Sequence, residues 1–327
     1  MIVALHAPDG FLEAPVAIAT ALFSIAVLAI VMRKTDDNLD SKQIPLAGVA
    51  AAFIFAAQMV NFPVASGTTG HLLGAALAAV LLGPRLGVVV VSVVVVVQAL
   101  LFADGGLTAL GVNTLNMAIV PGFGGWALFR AFRRLLPASH AGVIGATGLA
   151  AGASVVLSAM AFSLEWLFGA SAPVAFDTVF GAMVGVHTLI GIGEGVISGL
   201  VVGAVLAARP DLVYGAQDLP VELSKARPRV GARTFLIAGV LASFAVAAVV
   251  SQFAASSPDG LERVAEDTGF IGSAEPGRFD SIFAEYATRG IDNEQLSLAV
   301  AGMAGVALTL LVGFGLAAAT RGARPTA

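Results

Sequence analysis

The chain has 327 residues, 58% hydrophobic and 12% charged, with a mean hydropathy of +0.93. A soluble domain is nearer half apolar and a quarter charged, so this composition is that of a membrane protein. The net charge of −4 argues neither for nor against a nucleic-acid partner, no basic run supports one, and none is expected. Cysteine is absent, which excludes disulfides and thiolate chemistry and leaves His6, His71, His140 and His187 as the only imidazoles.

The opening segment, MIVALHAPDGFLE, carries Asp9 and Glu13 but no Lys or Arg, the wrong sign for an export signal. Apolar stretches of roughly the 20 residues that cross the hydrocarbon core are predicted at 14–32, 45–60, 86–103, 112–129, 141–168, 179–208, 234–253 and 296–319. A shorter one runs from His71 to residue 82 and is expected to carry that histidine at the top of a helix. The valine-rich 86–103 block favours sheet by composition. A lone strand at membrane depth would leave backbone groups unpaired, so it reads as a helix.

Lys and Arg cluster on one side. Arg33, Lys34, Lys42, Arg85, Arg130, Arg133, Arg134 and Arg209 fall at alternate ends of the spans, while the loops 61–70, 104–111 and 169–178 carry none. The positive-inside rule then puts the N-terminus outside, the C-terminus inside and the 254–294 segment outside. The expected fold class is an all-α polytopic membrane protein of about seven helices over 1–208. A proline-containing cytoplasmic linker at 209–233 joins it to a two-helix unit over 234–327, with the outside loop between its helices.

Four stretches carry candidate chemistry. NFPVASGTTGHLLGAALAAVLLGP (61–84) is a glycine-rich outside loop bearing His71, with Asn61 and Thr68 as candidates for the second layer around it. HAPDGFL (6–12) places His6 on the same face. ALLFADGGLTALGVNTLNMAIV (99–120) brings Asp104, Asn113 and Asn116 near the outside; the two asparagines share a helix face and serve either as packing glue or as a site lining. GVHTLIGIGEGVISG (185–199) sets His187 and Glu194 two turns apart on one helix, with small residues that admit a neighbouring helix. An intramembrane carboxylate is a functional hypothesis by default, and a proton-coupled carrier or channel relayed through Glu194 and His187 is the alternative reading. His140 reads as a solvated loop histidine. No HExxH, GxSxG or GxxxxGK[ST] is present, so the chain carries no protease, esterase or P-loop ATPase signature.

These same stretches resemble the CbiM/NikM family, the metal-binding membrane components of energy-coupling factor transporters for cobalt or nickel, over about residues 5–208. SSPDGLERVAEDTGF (256–270) resembles the PDGLE region of the CbiN/NikN small component, so the chain looks like a fusion of the two. The resemblance implies uptake of Co2+ or Ni2+ as transported substrate, with no organic cofactor, in a prokaryotic cytoplasmic membrane. It also implies a transmembrane coupling protein and paired ATPases as partners, with ATP hydrolysis in those subunits. It further implies a nitrogen-rich metal site made of a terminal amine, the backbone nitrogen and imidazole of an early histidine, here His6, and a second histidine, here His71. Family members begin Met-His, whereas His6 follows Leu5 here. We therefore expect translation to start at position 5, placing the terminal amine on that residue.

Overall fold

The computed structural model describes residues 6–35, 42–65, 67–220, 228–275 and 281–322; Leu5 and the proposed start lie outside them. At its centre lies a helix that touches neither lipid nor water. Helix α3 (Ala75–Leu82) is apolar on every side, and all eight of its residues are buried. A helix apolar all round belongs in an interior, and at about 12 Å it is too short to span a bilayer.

The other elements wrap it. Helix α1 (Ala14–Thr35) leaves Ile18, Leu22, Phe23 and Ile25 exposed, an outer apolar face suited to lipid. Helix α2 (Gln43–Gln58) is followed by a two-residue antiparallel hairpin, β1 (Phe62–Pro63) with β2 (Thr69–Gly70), paired Phe62 to Gly70. Helix α4 (Pro84–Val97) starts with proline in its first turn and widens into a π-helical turn at Gln98–Phe102. Helix α5 (Leu110–Thr114) passes through a second π-helical turn at Leu115–Ile119 into α6 (Val120–Arg133). Helices α7 (His140–Gly169) and α8 (Phe176–Ala208) form the most extensive helix pair. Gly152 faces Gly191 and Gly148 faces Gly195, and a Cβ on Gly152 would stand 2.6 Å from the Gly191 carbonyl oxygen. The small residues of α8 thus let the two backbones meet.

The C-terminal unit comprises α9 (Ala232–Ala248), α10 (Gly260–Thr268) and α11 (Glu294–Gly322). Helices α9 and α11 pack on α2 and on each other. Asp259 caps α10 by accepting from the Glu262 N–H at 2.7 Å, and Gly269, at φ +89°, ends it. Phe270, just beyond, packs on Phe11 and Trp166 with ring centroids 5.0 and 4.4 Å apart.

Among the described residues, six helices are long and apolar enough to cross a membrane: Ala14–Lys34, Pro84–Phe102, His140–Gly169, Phe176–Ala208, Ala232–Phe253 and Glu294–Ala319. The protein is an all-α membrane protein, and the valine-rich block is helical. Three expected stretches differ. The 45–60 stretch forms a 16-residue helix. The 112–129 stretch lies across the π-helical turn between α5 and α6. The 71–82 stretch becomes helical only at Ala75, so His71 sits on irregular backbone before α3 rather than at its top.

Candidate metal centre

Gly74 explains why the helix starts late. Its φ is +77°, a left-handed conformation natural to glycine. From α8, the fully buried Glu194 reaches across to accept the Leu73 N–H at 2.7 Å and the Gly74 N–H at 3.0 Å. The carboxylate takes the place of a capping side chain and pins the turn that carries His71.

The N-terminal segment is pinned just as firmly. Asn113 grips Ala7 from both sides: its Oδ1 accepts the Ala7 N–H and its Nδ2 donates to the Ala7 carbonyl, each at 3.0 Å. Asp9 Oδ1 accepts from the Thr108 N–H at 2.8 Å, the Thr108 hydroxyl at 2.6 Å and the Ala109 N–H at 3.2 Å. Gly106 presses so closely on this segment that a Cβ there would stand 2.1 Å from Asp9 Oδ1. Asp9 is therefore a buried anchor.

These two anchors bring His6 and His71 together. Their rings meet edge-to-face with centroids 5.9 Å apart, and the residues are 2% and 8% exposed. Both border a cavity of about 80 Å³ that also touches His187, Asn113, Asn116, Met117, Met183 and Asp259. Pockets for organic ligands are several times larger; this volume suits a small ion with a few waters.

The three imidazoles are oriented alike. Nδ1 of His6 lies 3.2 Å from the Asp104 carbonyl oxygen, that of His71 3.1 Å from Leu72 O, and that of His187 2.8 Å from Met183 O. A carbonyl can only accept, so each Nδ1 carries the proton and each Nε2 the lone pair. For His71 a carbonyl partner on Nδ1 is the usual companion of metal ligation through Nε2; a chelate through the His6 backbone nitrogen, which the resemblance implies, closes only through Nδ1 of that ring. Nε2 of His6 is buried and has no hydrogen-bond partner among the described residues.

The loop between α9 and α11 closes over this group. The Thr69 hydroxyl donates to Ser257 O at 2.9 Å, the Thr69 N–H to Pro258 O at 2.8 Å and the Glu275 N–H to Asp9 O at 2.8 Å. Asp259 reaches the cavity from this loop, and burial pushes its carboxyl up to about 7 against the pull of the Glu262 N–H. Burial, then the neighbouring Asp104 carboxylate, raises the Tyr286 phenol well above its ordinary value, which keeps it a neutral donor.

Of the other sequence candidates, Asn61 and Thr68 sit in the hairpin region and do not border the cavity. The Asn61 carbonyl accepts the Ala255 N–H at 2.9 Å, and the Thr68 carbonyl accepts the Val64 N–H at 2.8 Å. His140 opens α7, some 18 residues along that helix from the cavity-lining Ser158. Sequence reasoning missed Asp259, Tyr286, Gln98 and Glu165. Glu165, whose Oε2 accepts from Asn116 Nδ2 at 2.6 Å, was legible as a carboxylate within an apolar span. Tyr286 carries no local pattern that marks it.

Comparison with known proteins agrees with this architecture. Residues 6–212 match the family model CbiM, described as the cobalt uptake substrate-specific transmembrane region, and residues 233–322 match the PDGLE domain. The putative fused nickel transport protein NikMN of Archaeoglobus fulgidus is 34% identical over 95% of this chain and 98% of its own length. The fused nickel transport protein NikMN of Rhodobacter capsulatus is 29% identical over 97% and 98%. A crystal structure of a truncated transition metal transporter superposes with a TM-score of 0.55 at 31% identity, covering 62% of this chain and 98% of that one. The chain therefore belongs to the CbiM family of substrate-specific transmembrane regions for cobalt uptake, with a PDGLE domain joined behind it.

Proposed function

We propose that this chain takes up Co2+ or Ni2+ as the substrate-specific component of an energy-coupling factor transporter in a prokaryotic cytoplasmic membrane. The observation that carries the reading is the meeting of His6 and His71, from separate segments, at one small buried cavity. Nitrogen donors suit late first-row divalent ions, and nickel and cobalt both accept them. The metal is the cargo; His6 and His71 hold it, and His187 stands beside them. Residues 1–208 form the metal-binding membrane domain, 209–233 a cytoplasmic linker and 234–327 the small-component domain.

The N-terminus and the cavity face outward, because the helix ends away from the cavity carry Arg33, Lys34, Arg130 and Arg133. A membrane coupling protein and paired ATPases supply the energy, since the chain has no P-loop of its own. Glu194 already serves the fold, its two oxygens accepting the Leu73 and Gly74 N–H groups.

Radiolabelled nickel and cobalt accumulation in cells that express the chain with its coupling partners tests this. Accumulation should need ATP-competent partners and should fall to background in His71→Ala. Undiminished accumulation with inactive ATPases would support a self-sufficient carrier instead.

A further inference from the structure

Among the described residues, two buried side-chain polar atoms of cavity-lining residues have no hydrogen-bond partner: His6 Nε2 and Asn116 Oδ1. Asn113, one turn earlier, spends both ends of its amide on Ala7. Asn116 spends only one. Its Nδ2 donates to Glu165 Oε2 at 2.6 Å, and an ionised carboxylate can only accept, so the amide oxygen is left turned away from Glu165. The Ser158 hydroxyl donates to the Asn116 carbonyl at 2.5 Å and holds the backbone there. Asn116 and Glu165 are 6% and 8% exposed, so bulk water does not serve this oxygen. Asn116 lies in the π-helical turn Leu115–Ile119, a local widening that is frequent at functional sites.

As they stand, these two atoms cannot bond to each other. Nδ1 of His6 carries the proton for the Asp104 carbonyl, so Nε2 offers a lone pair, and so does an amide oxygen. Metal ligation reverses this. A chelate through the His6 backbone nitrogen closes only through Nδ1 of the same ring, and a ligating nitrogen must give up its proton. A neutral imidazole carries one proton, which then sits on Nε2. The ring binds one proton before and after; only the nitrogen that holds it changes. Nδ1 leaves the Asp104 carbonyl, and Nε2 becomes a buried donor that needs an acceptor.

We propose that Asn116, oriented by Glu165, is a positioning residue for the metal site: its Oδ1 accepts the Nε2 proton of the His6 ring once Nδ1 has taken the ion. This rests on the reading of His6 as a metal ligand. The hydrogen bond favours the ligating form of the ring over the form that the Asp104 carbonyl holds, and so raises affinity. Outer partners of metal-binding histidines are typically worth 10–100-fold in affinity. The same bond gives Glu165 the role that a carboxylate within an apolar span calls for.

The test is nickel titration of the purified full chain by calorimetry, with nitrogen-15 NMR of the histidine side chains as a second readout. A planar set of nitrogen donors holds nickel diamagnetic, so the ring N–H signals stay visible. Nickel should bring up one slowly exchanging Nε2–H signal in the parent. Asn116→Ala should weaken binding roughly tenfold and should lose the slow exchange of that signal. Asn116→Asp keeps an acceptor in place and should lose less of both. Glu165→Ala should weaken binding too, and its double variant with Asn116→Ala should lose little beyond the larger single loss, as members of one network do. Ser163→Ala removes a buried bond within α7, from the Ser163 hydroxyl to the Ala159 carbonyl at 2.8 Å. It should leave the affinity within about twofold of the parent.

Parent-like binding by Asn116→Ala, with binding lost in His6→Ala, overturns the inference and leaves the site reading standing. Parent-like binding by His6→Ala overturns the site reading itself. A His6 proton that stays on Nδ1 with nickel bound, or paramagnetic broadening of the histidine signals, would remove the chelate that Asn116 is to support and overturn the inference. An equal loss in Ser163→Ala would reduce Asn116 to general packing of α7 and overturn it too. So would equal losses in Asn116→Asp and Asn116→Ala, which would place the effect in the Glu165 contact alone.

Discussion

Glu194 sits 3.0 Å from the backbone nitrogen of Gly74, with the Leu73 nitrogen at 2.7 Å from its other oxygen. One carboxylate from α8 thereby fixes the bend between His71 and α3. A hydrogen bond to a charged group contributes about 1.5–3 kcal/mol, and leaving the buried N–H groups unpaired costs more. We expect Glu194→Ala to weaken nickel binding at least tenfold and to lower thermal stability in detergent, both read on the purified chain. Glu194→Gln keeps one acceptor and should lose less of each. Transport abolished by Glu194→Gln with full-strength nickel binding would assign the residue to proton movement instead.

Asn113 should matter through Ala7. Replacing it by Ala removes two hydrogen bonds, each with a net worth of about 0.5–1.5 kcal/mol, and strands the Ala7 backbone groups. Hydrogen exchange at residues 6–12 should quicken, and nickel affinity should fall severalfold. The same residues exchanging at the parent rate would place the anchor elsewhere, at Asp9.

Gly106→Ala should displace the N-terminal segment. The added methyl would stand 2.1 Å from Asp9 Oδ1 and 2.2 Å from Asp9 N, so the segment must shift. Overpacking of this kind costs about 1–3 kcal/mol. The expected outcome is a folded protein with weakened nickel binding, measured beside its melting temperature.

Docking of the loop between α9 and α11 should depend on pH through Asp259. Burial raises its carboxyl from an ordinary carboxylate value to about 7. A group whose pKa is raised in the docked state favours docking fully at low pH, and that favour is lost as pH rises through the raised value. Hydrogen exchange across Gly260–Thr268 should therefore be slowest near pH 5 and should quicken towards pH 8, once intrinsic rates are divided out. In Asp259→Asn the dependence should flatten. A parent profile that slows with rising pH would contradict this sign.

Much of the architecture is legible in the sequence because long apolar runs bounded by charge leave a helix few alternatives. The runs behind α1, α4, α7 and α8 are of this kind. Where backbone chemistry decided, the sequence said less. The helical start expected at His71 fails because Gly74 turns left-handed and Glu194, some 120 residues away, takes the N–H groups that would open a helix. The π-helical turns at Gln98–Phe102 and Leu115–Ile119 have no periodicity to betray them. In the site, histidines are rare enough that His6 and His71 stand out by residue type, and Asn113 by its place in an apolar helix. Tyr286 is hidden for a different reason: its contact with Asp104 spans 182 residues in sequence and is made by a loop with no regular pattern.

The central claim is that His6 and His71 together hold the transported ion. Equilibrium nickel binding to the purified chain, compared with His6→Ala, His71→Ala and the double variant, tests it most directly. The account predicts one tight site in the parent, binding lost in either single variant, and no further loss in the double. Parent-like nickel and cobalt binding in both single variants would contradict it.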